Sequence, residues 1–397
     1  MVQSSTQPIL LSIGTCNRRA GIVTTIYSFK RYHPTAKVFV CLVDHPTEEM
    51  PPLEIPATVF YADEIPLPGG RKFLFKYDAF ELCCALKPFA LTYVVQQHEV
   101  SRLIYLDSDI LVFNSFWSDL EALWEEHSLL LTPHLTRLPT SDVPTEFLRS
   151  VVQHGAYNGG FIGVCIDAET IRFLSCWNNL LTTRCIFDPM NNLYVDQRWL
   201  DLLTASSYTV GVVRDPGFNV AYWNLHERKL AVDDNGTWSV NGRPFKFFHF
   251  SGFDRDRLTT KANCVDSLAL RLADEYGQAL ENAGDREFRS REYGWSRYVD
   301  GRPIEKSHRD LILSERPELA DIADPFALPQ LIGWEKLERL AQSNEPIRVS
   351  ERYHEWERNS PTLRRLRRHP VIGTVWKFWE RFVNPSLSAD YPANGRF

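Results

Sequence analysis

Nowhere in these 397 residues does an apolar run reach the ~18 residues that a membrane span requires. A basic excess is missing too: the formal net charge is −6 and the pI is near 6.0, which excludes a general nucleic-acid binder. The first eleven residues lack a basic region ahead of a long apolar stretch, so no secretory leader is expected. The eight cysteines, at positions 16, 41, 83, 84, 165, 176, 185 and 264, never fall in a Cys-x-x-Cys spacing. That argues against a zinc site and a disulfide framework, and for buried thiols in a reducing cytoplasm. No internal repeat and no low-complexity tract is present. What the chain does have is apolar mass: 44% hydrophobic residues, with 24 Phe, 15 Tyr and 11 Trp. That suffices for one large domain plus an appendage.

Apolar runs and helical patterns alternate along the first two thirds. Residues 9–16 read as a strand ending in Gly14, Thr15 and Asn17, followed by a helical pattern to Tyr32 and a second strand over 38–43. Strand–helix–strand order predicts a parallel sheet. A Pro/Gly-rich loop at 65–70 leads to a helix over 76–86, which Lys87-Pro88 is expected to interrupt before 89–97 resumes. A helix around 117–126, a strand over 129–132, a polar loop over 133–150 and a strand over 161–166 follow, with a strand-like stretch at 246–250. Asp233-Asp234 lies in Asp-Asp-Asn-Gly, a hairpin turn signal. After about residue 265 the chain becomes charged and helical. The expected division is therefore a domain over 1–265 and a helical C-terminal region over 266–397.

The most informative stretch is Leu103-Ile-Tyr-Leu-Asp-Ser-Asp109. Four apolar residues run into Asp107 and Asp109, as in a buried parallel strand delivering two carboxylates at its C-terminal tip, where open α/β sheets bind ligands. Like charges that close are costly to hold without a cation. Two carboxylates of this kind suit Mg²⁺ or Mn²⁺, which keep water and substrate phosphates as further ligands. The plainer reading is an Asp that starts a loop or caps a helix.

Four more stations follow this motif or flank it: Lys87-Pro88-Phe89, Tyr157-Asn158-Gly159-Gly160, Val195-Asp196-Gln197 and His249-Phe-Ser-Gly252-Phe-Asp-Arg255. Together, over roughly residues 9–260, they resemble the GT-A glycosyltransferases, in particular the family 8-like group of bacterial cell-surface polysaccharide enzymes. The resemblance implies an α/β, Rossmann-like fold with a mainly parallel central sheet flanked by helices. It implies that Asp107, Asp109 and His249 ligate Mn²⁺ or Mg²⁺, with Asp107 and Ser108 at the donor diphosphate. Gly252 lets the backbone approach a phosphate, and Arg255 stands where the family has Lys, keeping the charge but changing its geometry. The Pro-Trp that follows in the family is absent here.

The resemblance also places Lys87 at the diphosphate, Thr15 and Asn17 at the uridine, Asn158, Gly159 and Gly160 at the donor sugar, and Asp196 and Gln197 near the reacting carbon. Each has a plainer alternative. Lys87 is equally a solvated helix charge, and Thr15 and Asn17 ordinary turn residues. Asn-Gly-Gly is equally a turn, and Asp196 the cap of a helix beginning at Arg198.

The implied activity is transfer of a sugar from a nucleotide sugar, UDP-linked, to a glycan or lipid-linked acceptor hydroxyl, with retention of configuration. Two rivals stand beside it: a non-catalytic nucleotide-sugar binding module, and a haloacid-dehalogenase-like phosphatase, which carries apolar-Asp-x-Asp near its N-terminus. At the far end, Leu363-Arg-Arg-Leu-Arg-Arg368 precedes Ile372, Val375, Trp376, Trp379, Phe382 and Val383 at helical spacing. This fits an amphipathic helix on the inner, anionic face of a membrane, or one packed on the core. A cytoplasmic protein, peripheral on that membrane face, is the expectation.

Overall fold

A computed structural model describes residues 7–48, 50–137, 145–206, 209–253 and 267–343. Seven strands form the central sheet: β1 (Ile9–Gly14), β2 (Lys37–Leu42), β3 (Thr58–Tyr61), β4 (Arg102–Leu106), β6 (Leu129–Pro133), β7 (Tyr157–Cys165) and β10 (Val210–Val212). Seven more are short: β5 (Ile110–Val112), β8 (Phe187–Asp188), β9 (Leu193–Tyr194), β11 (Leu230–Val232), β12 (Trp238–Val240), β13 (Arg243–Pro244) and β14 (Phe247–His249). The helices that position the site are α1 (Arg19–Tyr32), α2 (Arg71–Lys76), α3 (Ala79–His98), α4 (Trp117–Trp124), α5 (Thr145–His154), α6 (Ala168–Leu181) and α7 (Gln197–Ala205). Helical segments continue from Ser267–Asn282 to Trp334–Ser343. The C-terminal segment 363–383 lies outside the described residues.

The sheet order is β10-β6-β7-β4-β1-β2-β3. All neighbours are parallel except β7, which runs against both β4 and β6. This is the mainly parallel α/β architecture that the resemblance implies. The chain winds from β1 outward through β2 to β3, then returns to lay β4 on the other side of β1. Loops leaving β1 and β4 therefore diverge, and a crevice opens at their C-terminal ends. The Asp107–Asp109 pair lies at that point because β4 ends at Leu106.

Strand residues alternate between faces. Leu10, Val38, Val40, Ile104 and Leu106 form one core with Ile22, Ile26 and Phe29 of α1 and Trp117, Leu120 and Trp124 of α4. On the other side α3 lies against β1 and packs on α6. A second core joins Phe245, Phe248 and Phe250 to Leu272 and Tyr276 of the helix Ser267–Asn282, where the Tyr276 ring stacks on Phe250 at 4.0 Å.

One local expectation is corrected, and one open alternative is closed. Pro88 does not interrupt the helix: α3 runs unbroken from Ala79 to His98. The bond lost at Pro88 is outweighed by the burial of Leu82, Leu86, Phe89 and Leu91 on either side of it. Asn158-Gly159-Gly160 is no turn but the beginning of β7. Its pairing with β6 jumps from Leu131↔Ile162 to Thr132↔Asn158, so Gly159 and Gly160 bulge out of the ladder. The Asp-Asp-Asn-Gly turn does close a hairpin, between β11 and β12, with Gly236 in the left-handed region.

Candidate functional site

The site is assembled by a small antiparallel pair at the crevice. β14 runs against β5 with His249 opposite Ile110, and the Phe250 N–H donates to the Asp109 carbonyl at 2.8 Å. His249 is thereby delivered beside the carboxylates that leave β4. Its Nε2 lies 3.0 Å from Asp109 Oδ1 and 3.6 Å from Asp107 Oδ2. One ligand atom from each of the three residues falls within 4.8 Å of the others. The ring sits in a slot: a Cβ on Gly160 would approach His249 Cε1 to 2.3 Å, and Trp223 packs edge-on at 5.5 Å. Burial works against both charges, yet Asp109 holds the imidazole above its ordinary pKa. His249 in turn, working against burial, holds the Asp109 carboxyl below the usual range.

These residues fit a divalent cation on two counts. Asp109 Oδ1 and His249 Nε2 are buried and face one another at 3.0 Å with no other hydrogen-bond partner. Two carboxylates and an imidazole form a mixed oxygen–nitrogen donor set, open to Mn²⁺ or Mg²⁺.

Behind this cluster lies a second one. Lys87, buried in α3, places Nζ 3.2 Å from Asp107 Oδ1 and 3.0 Å from Asp196 Oδ2, and donates to the Gly159 carbonyl at 3.0 Å. Burial would lower the Lys87 pKa, but Asp107 and Asp196 outweigh it and hold the ammonium well above its usual value. Burial raises the Asp196 carboxyl, with Lys87 pulling it back and Asp107 adding to the rise. The Tyr105 hydroxyl donates to Asp107 Oδ1 at 2.6 Å.

Asp196 does not cap α7. It sits at the helix start with helical backbone angles and no capping bond, its carboxylate turned to Lys87 instead. The preceding Val195 has φ +40°, a left-handed conformation costly for a β-branched residue and found where a neighbour must be aimed. Gln197 is buried: Oε1 accepts from Asn158 Nδ2 at 3.1 Å and Gly159 N at 2.8 Å, and Nε2 donates to the His154 carbonyl at 2.7 Å.

Two cavities meet at the carboxylates. One of about 640 Å³ is lined by Lys87, Asp107, Asn158, Asp196, Gln197 and His249, with aromatic walls from Tyr222 and Trp223. The other, about 650 Å³, is lined by Arg18, Gly21, Ser108, Asp109, Gly252 and Arg289, among others. Thr15 and Asn17 line neither. Thr15 Oγ1 bonds Asn17 Oδ1 at 2.6 Å, and Asn17 Nδ2 donates to the Arg291 carbonyl at 2.9 Å. The room left by Gly159 and Gly160 is taken up by Asp196 and His249. Arg255 lies outside the described residues.

Sequence reasoning passed over Tyr105, His134, Asn219 and Trp223. Tyr105 had a signal, since two residues before Asp107 on a strand is the same face. His134 is buried, its Nδ1 2.7 Å from the Gly155 carbonyl, and burial pulls its pKa down to about 4. Asn219 and Trp223 come from an irregular stretch with no periodicity to mark them.

The site thus defines an α/β protein with a two-carboxylate, one-imidazole cluster at the sheet's switch point. No family model matches the chain. Among curated proteins it is similar to two of Bacillus subtilis (strain 168), both described as uncharacterized. YfnF is 27% identical over 181 residues, 44% of this chain and 58% of that protein. YfnD is 27% identical over 179 residues, 44% of this chain and 54% of that protein. The chain spans a little over half the length of these relatives. Solved structures that resemble it include the glycosyltransferase GlyE of Streptococcus pneumoniae TIGR4, at 14% identity and a TM-score of 0.40, over 71% of this chain and 64% of that one. The galactosyltransferase LgtC is similar at 14% identity and a TM-score of 0.36, over 69% of this chain and 95% of that one. At such scores they do not define the fold, which the strand order does.

Proposed function

We propose that this chain is a metal-dependent glycosyltransferase. It moves a sugar from a nucleotide sugar, UDP-linked, to a hydroxyl of a glycan or lipid-linked acceptor, with retention, in cell-surface polysaccharide or glycoconjugate synthesis at the cytoplasmic membrane face. The observation that carries the reading is the convergence of Asp107, Asp109 and His249, one ligand atom of each within 4.8 Å of the others.

Those three residues would hold Mn²⁺ or Mg²⁺, which when bound neutralises a diphosphate and takes up charge as the sugar–oxygen bond breaks. Ser108 and Gly252 line the cavity assigned to the nucleotide, where Gly252, at φ +58°, lets backbone come close to a phosphate. Lys87 contributes positive charge beside Asp107, pre-oriented by Asp196 and the Gly159 carbonyl. The donor sugar and acceptor occupy the other cavity. There Asp196 and Gln197 are the residues assigned to the reacting carbon, and Tyr222 and Trp223 supply flat walls for sugar rings. The Gln197 amide is held by three bonds, so its part is electrostatic rather than proton transfer. Retention needs no strong base.

The test is release of free nucleotide from a panel of UDP-, GDP- and CMP-sugars with Mn²⁺ or with EDTA, wild type beside Asp109→Asn. Metal-dependent release from one donor, lost in the variant, is expected. Metal-dependent binding without release under any acceptor would recast the chain as a binding module. Neither binding nor release would sink the proposal.

A further inference from the structure

We propose that Asn219 is the positioning residue that fixes the tautomer and direction of the His249 imidazole, and so sets the metal affinity of the site. The inference rests on the metal-dependent reading above. His249 Nδ1 lies 3.1 Å from Asn158 Oδ1 and 3.2 Å from Asn219 Oδ1, two carbonyl oxygens that can only accept. Nδ1 therefore keeps a proton, which leaves Nε2, facing Asp109 and Asp107, as the nitrogen that would offer its lone pair to a cation.

Of the two acceptors, Asn219 is the one with capacity to spare. Asn158 Oδ1 already accepts from the Gly160 N–H at 3.0 Å and from Asn219 Nδ2 at 3.0 Å, which occupy its two lone pairs. The Asn219 amide cannot turn over to offer nitrogen instead. Its Nδ2 donates both to Asn158 Oδ1 and to Thr132 Oγ1 at 2.7 Å, so its oxygen is left facing the ring. The backbone enforces the same arrangement. Asn219 has φ +49°, a region Asn adopts more readily than most residues, and the next residue, Val220, accepts from the His249 N–H at 2.8 Å. Asn219 is 1% exposed, so water does not compete for the bond. A partner that holds the second nitrogen of a ligating histidine fixes the ring and strengthens it as a ligand, and its loss costs about 10- to 100-fold in metal affinity.

The experiment measures Mn²⁺ binding to the full chain without nucleotide, by the loss of the free-ion electron paramagnetic resonance signal. Wild type is compared with Asn219→Gly, which keeps the left-handed backbone and removes only the side chain. The Mn²⁺ dissociation constant is expected to rise about 10-fold or more. In a His249→Ala background the same substitution is expected to change it no further, an outcome that a general packing role would not give. An unchanged constant in the first comparison, or full additivity in the second, overturns the assignment. If the glycine variant does not fold, Asn219→Asp decides. It retains an acceptor for Nδ1–H and the backbone preference, and is expected to bind Mn²⁺ at least as tightly as wild type; weaker binding overturns the assignment. Wild type that binds Mn²⁺ no better than Asp109→Asn would fail the metal reading itself, not this step.

Discussion

Two charged clusters share one sheet edge, and they differ in what faces their carboxylates: a buried ammonium in one, an imidazole in the other. In the rear cluster Lys87 meets two carboxylates and a carbonyl, and both it and Asp196 are almost sealed from water, with side chains 4% and 2% exposed. In the front cluster the Asp109 side chain is 34% exposed, and one of its oxygens meets the imidazole nitrogen at 3.0 Å. Asp107 belongs to both: Oδ1 takes Lys87 and the Tyr105 hydroxyl, Oδ2 faces His249. Charge density alone does not separate a structural ion pair from a ligand site. What separates them is whether the partner can shed its proton and become a ligand, as an imidazole can and the Lys87 ammonium, held above its usual pKa by Asp107 and Asp196 against burial, does not.

That contrast is open to attack at four strengths. The largest effect belongs to Asp109→Asn. It is expected to cut metal-dependent nucleotide release by about 100-fold or more, since the cation carries several kcal/mol of charge stabilisation. Metal-free unfolding should change less, because His249 can shed its proton once the carboxylate is gone. Next is Lys87→Met, which strands the buried Asp196 carboxylate and takes a partner from the half-buried Asp107. Urea unfolding in EDTA is expected to show a loss of about 3–5 kcal/mol. If it costs no more than Asp109→Asn, the two clusters are not different in kind. Third, Gly160→Ala drives a methyl into the His249 ring. It is expected to cost about 1–3 kcal/mol in unfolding and to weaken Mn²⁺ binding; a variant with wild-type Mn²⁺ affinity would show that the slot is loose.

The smallest effect lies far from both clusters. His33 is buried, its Nε2 accepting from the Phe116 N–H at 3.2 Å and its Nδ1 3.3 Å from the Phe29 carbonyl. Burial lowers its pKa to about 4, with Lys246 adding to the fall and the Phe29 carbonyl opposing it. The unfolded chain therefore takes up the proton first, near pH 6.5. Stability from this residue is whole above that pH and lost as the pH falls toward about 4. Between pH 7 and about pH 5.5 the loss is about 1 kcal/mol. Melting curves of wild type and His33→Gln across that range check it, and parallel slopes would dismiss it.

Much of this could be read from the chain, and the limits have physical causes. Apolar runs that end abruptly in Asp or Gly marked β1, β2 and β4, because strands buried on both faces leave no polar residue until they reach the edge. The meeting of Asp109 with His249 is another matter. It depends on β14 pairing with β5 across 140 residues (249 minus 109), and only the family resemblance anticipated it. Glycine pairs signal turns, which kept a turn open beside the donor-sugar reading at Gly159-Gly160; a strand spreads its ladder to admit an imidazole only in three dimensions. Asp196 before a helix has the pattern of a cap, and nothing local reveals that a lysine 109 positions earlier (196 minus 87) claims it. Asn219 had no periodic signal at all.

One reversed strand has a consequence for how such a site can change. Because β7 runs against its neighbours, it brings its beginning, not its end, to the edge where β4 delivers the carboxylates. The stretch between β6 and β7 therefore opens onto the same cavity: Phe147, Val151 and His154 of α5 line it beside Gln197. That stretch carries none of the cluster Asp107, Asp109 and His249. Chain insertions or exchanges there can redraw what the cavity admits while the chemistry stays anchored elsewhere, so recognition and reaction are free to evolve as separate modules of a single pocket.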